Sequence, residues 1–148
     1  MSQPGDSIQF RDEIDAIKEE INKLKKKNSE LNIFIAVGHS GLERDLQIAR
    51  AIPELDLVVG GHSHSFMFTG NNYPSVEVPE GDYPVVIEHN SKQKTLYVQA
   101  FAFGKYLGYL DLAFDDDGNI EAFKGEPIFL NSTTAQGKTF PTKQNQSY

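Results

Sequence analysis

The chain has 148 residues, and its 14 Lys and Arg against 21 Asp and Glu give a formal net charge of −7. An acidic chain without a basic block is a poor match for nucleic acid, because phosphate backbones are bound by clustered Lys and Arg. No apolar stretch reaches the roughly 18 residues of a membrane span, and we expect no export signal at this N terminus. With no cysteines, disulfides, thiolate metal sites and cysteine nucleophiles are excluded, leaving His, Asp, Glu and Asn as metal ligands.

The first predicted element is an amphipathic helix from about residue 8 to 27. Acidic residues near its start and the lysines at 25–27 complement the helix dipole, so the lysine run is interpreted as a helix end and not as a phosphate-binding patch. The apolar stripe is too short for a coiled coil and predicts packing against a sheet. The stripe residues recur at spacings of four, three, four and three: Phe10, Ile14, Ile17, Ile21 and Leu24.

A strand, a helix and a second strand are predicted next. The short apolar runs Ile33–Val37 and Leu55–Val59 each end at a glycine, which is typical of strands buried on both faces. Between them, apolar residues recur at helical spacing until Pro53 ends the helix. A crossover of this kind makes the two strands parallel, so whatever follows each strand meets at one edge of the sheet. The helical apolar residues are Leu42, Leu46 and Ala49.

The second half predicts a long loop followed by a β-meander. Residues 65–83 are rich in Gly, Asn and Pro, and such a long connection is expected to be an ordered functional or packing loop. The acidic turn at 115–119 is interpreted as a hairpin turn. We expect one domain over residues 1–130 and a polar linker or tail over 131–148. The predicted strands of the meander are Val85–Ile87, Leu96–Val98, Tyr109–Phe114 and Ile120–Phe123.

Three of the four histidines follow the two predicted parallel strands directly. His39 lies in Gly-His-Ser-Gly, and His62 and His64 lie in Gly-Gly-His-Ser-His. In an open α/β sheet, ligands bind beyond the carboxyl ends of the strands, and neutral imidazole is a good ligand for zinc or another divalent metal. We therefore expect His39, His62 and His64 to lie within reach of a divalent ion. His89 lies among other polar residues and is interpreted as an ordinary hydrogen-bonded histidine.

These residues carry a resemblance to a known family. Gly-His-Ser-Gly at 38–41 followed by Gly-Gly-His-Ser-His at 60–64 resembles the last two metal-binding motifs of the calcineurin-like metallophosphoesterases. The stretch from about residue 33 to 131 is similar to the 5′-nucleotidase and salivary apyrase branch, through Phe-Thr-Gly at 68–70 and Gln-Ala-Phe-Ala-Phe-Gly-Lys-Tyr-Leu-Gly at 99–108. The resemblance implies an α/β fold, the latter part of an αββα metallophosphoesterase sandwich.

The same resemblance implies roles for the histidines. His39 and His62 match the histidines that bind one ion of a two-metal site, whereas His64 matches a position that is either a ligand of the other ion or a phosphate contact. Divalent ions, with zinc as the first expectation, would activate water for hydrolysis of AMP, ADP or ATP. No catalytic residue is assigned, because the family's upstream Asp-x-His and Gly-Asn-His motifs do not occur in this sequence.

We therefore expect a fragment that is catalytically incomplete alone, its partners being a nucleotide substrate, the missing N-terminal part and a C-terminal nucleoside-binding domain. The alternative is a non-enzymatic secreted protein that binds a nucleotide or another partner. The resemblance implies an extracellular or cell-surface location. Two glycosylation sequons, at Asn131 and Asn145, would fit that location.

Overall fold

The computed structural model describes residues 5, 7–90 and 92–130. The predicted α/β class is confirmed, with parallel and antiparallel strands in the described part of the chain. The predicted tail at 131–148, with its two sequons, lies outside the described residues. The elements are α1 (Glu13–Lys27), β1 (Ile35–Val37), α2 (Leu42–Ala51), β2 (Leu57–Val59), β3 (Val85–Glu88), β4 (Lys94–Val98), β5 (Tyr106–Phe114) and β6 (Ile120–Phe129).

Helix α1 begins five residues later than the sequence pattern predicts. The side chain of Asp12 accepts hydrogen bonds from the backbone N–H groups of Ile14, at 2.9 Å, and Asp15, at 3.3 Å. Asp12 therefore caps the helix and fixes its start, and Phe10, counted in the predicted stripe, lies outside it and is 82% exposed. In the described part of the chain, neither helix has the length and apolarity needed to cross a membrane.

The main sheet has four strands in the order β1-β2-β4-β3. Strands β1 and β2 are parallel, as predicted, and β2 also pairs in parallel with β4. The register aligns Val37 with Val59, and Val59 with Val98. The carboxyl ends of these three strands therefore lie side by side at one edge of the sheet, and the loops that follow them are neighbours.

Strand β1 was expected to be buried on both faces, and this expectation is wrong. Ile35 is 55% exposed and Val37 is 80% exposed, so the face of β1 that carries them is left uncovered by the described residues. Strand β1 is also the end strand of the sheet and pairs only with β2 among those residues. The apolar pattern correctly predicted a strand. The pattern could not indicate whether the described residues would cover both faces of that strand.

The core is one cluster between the helices and the main sheet. Ile21 of α1 and Ile48 of α2 pack with the central strand residues Val58, Leu96 and Tyr97, all of which are buried. Burial of such side chains is the main favourable term in folding, at about 1.5–3 kcal/mol each. This packing fixes α2 against the central strands β2 and β4, beneath the edge where the histidines lie.

The four strands of the predicted meander form two separate antiparallel hairpins. Strands β3 and β4 pair within the main sheet, whereas β5 and β6 form a two-stranded sheet of their own. Both edges of β4 are already occupied, by β2 and β3, so β5 has no edge of β4 to pair with. The chain leaves the main sheet after Val98 for this reason.

The loop at 65–83 is ordered by aromatic packing, as the sequence predicts. Phe66 and Met67 are each 1% exposed, and the ring of Phe66 stacks on Tyr106 of β5 with centroids 4.7 Å apart. The Thr69 hydroxyl accepts from Tyr83 N–H at 3.0 Å and donates to Tyr83 O at 3.1 Å. The loop therefore joins the two sheets.

Candidate functional site

His39 lies in the loop between β1 and α2. Gly38 N–H donates to Val59 O at 2.9 Å, which extends the β1–β2 ladder by one residue before the chain turns. A Cβ at Gly61 of the neighbouring loop would lie 2.7 Å from His39 Nδ1, a distance that real Cβ contacts do not reach. Glycine at position 61 therefore lets the second loop approach the His39 ring.

His62 and His64 lie in the loop that follows β2. Their φ angles are +72° and +55°, a left-handed backbone that non-glycine residues rarely adopt and that is found preferentially at functional sites. The ring of His62 lies edge-on to that of His39, with centroids 5.2 Å apart and an interplanar angle of 73°. The geometry thus brings the predicted His39 and His62 together at the sheet edge.

His64 has a different neighbour. Its ring lies 5.2 Å from the ring of Phe103, at an interplanar angle of 69°. Phe103 is 90% exposed and, like Phe101, has a left-handed backbone. The aromatic loop after β4 therefore borders the histidine loops on this side.

The His39–His62 pair has no third potential metal ligand beside it among the described residues. In residues 5, 7–90 and 92–130, no three His, Asp or Glu side chains form a group that could hold a metal ion. Zinc in proteins usually takes three or four protein ligands, and neutral imidazole is among its preferred donors. The two exposed rings fit two of these positions, and the role of His64 stays a prediction.

Gln99 anchors the second histidine loop from below. This residue, 2% exposed, donates from Nε2 to Gly61 O at 3.1 Å and to the Tyr97 hydroxyl at 2.8 Å, and its Oε1 accepts from Ser65 N–H. Two of these bonds hold the two ends of the short His62–His64 segment, and the third joins the amide to Tyr97 of β4. Buried, fully bonded polar groups of this kind hold a loop in one conformation.

Ser63 joins the two histidine loops directly. Gly41 occupies the cap position of α2 and has no side chain to cap the helix. Instead, the Ser63 hydroxyl accepts from Leu42 N–H at 3.1 Å, so the loop between His62 and His64 caps the helix that follows His39.

Asp45 of α2 is a buried carboxylate beneath both loops, with 1% of its surface exposed. Burial raises its pKa above the ordinary value, while hydrogen bonding from the backbone N–H groups of Gly61 and Ser40, and the charge of His39, act in the opposite direction. A Cβ at Gly60 would overlap the Asp45 carboxylate and lie 2.6 Å from the Tyr97 hydroxyl. The glycine at position 60 leaves the space that this carboxylate occupies.

A groove of about 780 Å³ runs beside these loops, along α2. Its walls include Ser40, Ser63, Arg50 and Glu80, but none of the three histidines. The groove is therefore a neighbour of the histidine pair, and the pair itself lies on the exposed sheet edge.

Two residues of this site are not among those predicted from the sequence. The sequence does indicate that Asp45 is unusual, because a carboxylate three residues after Leu42 and four before Ala49 lies on the apolar face of α2. Gln99 follows β4, the third parallel strand, whose place beside β2 the apolar pattern did not indicate. His89, by contrast, is confirmed as an ordinary polar residue, since its Nε2 lies 2.8 Å from Thr95 Oγ1.

The chain is similar to 5′-nucleotidases over nearly its whole length, which confirms the predicted resemblance. It is 47% identical to the mouse 5′-nucleotidase over 146 residues, covering 99% of this chain and 25% of the mouse protein. Identity to the snake venom 5′-nucleotidase of Crotalus adamanteus is 41%, over 99% of this chain and 24% of that protein. Protein 5NUC of Lutzomyia longipalpis is 44% identical over 87% of this chain and 22% of its own length. No protein-family model matches the chain.

Solved structures give the same result. A 5′-nucleotidase precursor from Thermus thermophilus superposes with a TM-score of 0.75 and 29% identity, over 94% of this chain and 26% of that protein. The NAD nucleotidase of Haemophilus influenzae superposes with a TM-score of 0.73 and 25% identity, over 94% of this chain and 28% of that protein. The chain thus spans about a quarter of the length of the relatives it matches.

Proposed function

We propose that this chain is the latter part of the metallophosphoesterase domain of a 5′-nucleotidase or apyrase, a hydrolase of nucleoside phosphates such as AMP, ADP or ATP. The observation that carries the proposal is the His39–His62 pair, whose rings lie 5.2 Å apart at the carboxyl ends of two parallel strands. The similarity to 5′-nucleotidases over 99% of the chain supports it.

In this proposal His39 and His62 bind one divalent ion, zinc being the first candidate, and His64 either binds a second ion or contacts phosphate. Two such ions, when bound, activate water and stabilise the charge that develops on phosphate. The chain's own residues contribute by holding the imidazoles: Gln99 fixes the second loop, and Ser63 links it to the first. No described residue is assigned a proton transfer.

The remaining parts of the proposal concern the whole protein. Residues 1–130 would belong to the metallophosphoesterase domain, and residues 131–148 would form a linker or tail toward a nucleoside-binding domain. An extracellular location is consistent with relatives that include snake venom proteins. Glycans at Asn131 or Asn145 would be expected there, and the intact mass of protein from its native source tests this.

Metal binding by the isolated chain tests the role of the histidine pair. We expect Zn²⁺ to bind, and His39→Ala or His62→Ala to weaken its affinity at least about tenfold, because each removes one of few ligands. Isothermal titration calorimetry measures this. His89→Gln is the matched control, since it replaces a histidine away from the site. Equal Zn²⁺ affinity in wild type and both alanine variants would refute the proposed metal site.

A further inference from the structure

The carboxylate of Asp45 is buried, lacks one hydrogen-bond partner and has no role in the function proposed above. Within the described residues its Oδ2 has no partner, although only 1% of the residue is exposed. Leaving a buried polar atom unpaired destabilises the folded state, and more so for a charged group. A residue that is kept at such a cost needs a physical reason, and its surroundings supply one.

Asp45 contacts both histidine loops next to their histidines. The backbone N–H groups that lower its pKa belong to Ser40, directly after His39, and Gly61, directly before His62. On the other side, its own N–H donates to Gly41 O at 2.8 Å, as part of the first turn of α2. One helical residue therefore lies close to the main chains of both loops.

The glycines of the two loops fit around this carboxylate. A Cβ at Gly38 would lie 3.7 Å from Asp45 Oδ1, and a Cβ at Gly60 would overlap Oδ2. Gly38 and Gly60 directly follow β1 and β2, so the carboxylate lies between the ends of the two strands. The carboxylate is close enough to His39 for their charges to interact.

We propose that Asp45 is a positioning residue, which holds the His39 and His62 loops at the separation needed for both imidazoles to bind one divalent cation. Its contacts with the main chains of the two loops set the geometry, and its charge favours a cation bound by the rings. The cation part rests on the function proposed above, whereas the geometric part concerns the metal-free protein alone.

The geometric part is tested by NMR on the metal-free chain. In wild type, nuclear Overhauser effects are expected between ring protons of His39 and His62, whose centroids lie 5.2 Å apart in an edge-on arrangement. Asp45→Asn keeps the shape but removes the charge and leaves one acceptor oxygen to face both loops, so these cross-peaks should fall at least about twofold. Asp45→Ala, which removes both acceptors, should lose them.

Two control variants distinguish a loss of loop positioning from a general loss of protein stability. Ile48→Val, on the same helix, removes one buried methyl group from the core without touching either loop, and it should keep the ring cross-peaks. Glu43→Gln neutralises an exposed carboxylate two residues away and should also keep them. Unchanged cross-peaks in a folded Asp45→Asn variant would overturn the proposal, as would an equal loss in Ile48→Val.

Titration with Zn²⁺ tests whether the charge of Asp45 contributes to binding of the cation. Asp45→Asn should bind Zn²⁺ at least about tenfold more weakly than wild type, while Glu43→Gln stays within about twofold. If wild type binds Zn²⁺ through His62 and Asp45→Asn binds it equally well, the electrostatic role is wrong. If wild type binds no Zn²⁺, the proposed metal site fails, and the NMR comparison still decides the positioning role.

Discussion

Asp56 is a second buried carboxylate, and it lies outside the histidine site. It directly precedes β2, is 9% exposed, and accepts a hydrogen bond from Phe34 N–H at 2.8 Å. Burial raises the pKa of this carboxyl to about 6, although the Phe34 bond favours the ionised form. The carboxyl therefore ties the residue before β1 to the residue before β2.

Stability should fall as Asp56 ionises. Because its pKa in the folded state is above the ordinary value of 3.8, the folded protein holds the proton more tightly than the unfolded chain. This contribution to the free energy of unfolding is complete below about pH 4 and is lost as the pH rises through about 6, on the order of 2–3 kcal/mol in all. In Asp56→Asn the contribution is absent.

Urea denaturation at pH 4, 5, 6 and 7 measures this difference. The free energy of unfolding of wild type, relative to Asp56→Asn, should decrease steadily across that range. Glu54→Gln, an exposed neighbour, should follow wild type. A difference between wild type and Asp56→Asn that does not change with pH would contradict the prediction.

At the scale of an element, the free edge of β1 is the exposed part of the main sheet. Ile35 and Val37 present apolar side chains to solvent, and the strand's outer backbone groups have no strand partner among the described residues. An open apolar edge is a template for pairing with another chain. We expect the isolated chain to self-associate through it.

Val37→Lys tests this edge. A lysine opposes edge-to-edge pairing, so self-association should decrease, while the free energy of unfolding should change by less than about 0.5 kcal/mol because the site is exposed. Sedimentation velocity over a range of concentrations measures the association. Val76→Lys, at a residue that is 89% exposed in the loop, is the control. An equal decrease in both variants would exclude β1 as the contact.

The sequence predicts where the two histidine loops lie, but it does not predict that Gln99 holds one of them. Two apolar runs joined by a helix are enough to place His39 and His62 at one edge, since parallel strands and their handed crossover follow from that order. Strand β4 pairs with β2 although the two are far apart in the sequence, and hydrophobic periodicity does not indicate such a pairing. The position of Gln99 beneath the His62 loop could therefore not be predicted. The capping by Asp12 competes with the apolar stripe, which is why the helix start was placed too early.

At the scale of the whole molecule, the chain covers about a quarter of its relatives, and activity is expected to need the rest. We predict no release of phosphate from AMP or ADP by this chain alone, and metal-dependent release when the upstream part of the domain is added as a separate chain. The reason is that the bridging carboxylate and the further ligands of a two-metal site come, by resemblance, from that part.

A malachite green assay for phosphate tests this complementation. His39→Ala and His62→Ala should abolish the restored activity, and His89→Gln should not. A stable complex of the two parts that binds two equivalents of metal but leaves AMP and ADP intact would favour the non-enzymatic binding protein.

The hydrogen bond from Leu42 N–H to Ser63 has a consequence for motion. Because α2 takes its cap from the neighbouring loop, a displacement of residues 62–64 also uncaps the first turn of the helix. Fraying of that turn in turn releases the His39 loop, which leads into it. The two loops are therefore one cooperative opening unit, and their amide hydrogens should exchange with solvent at a common rate rather than as two independent segments.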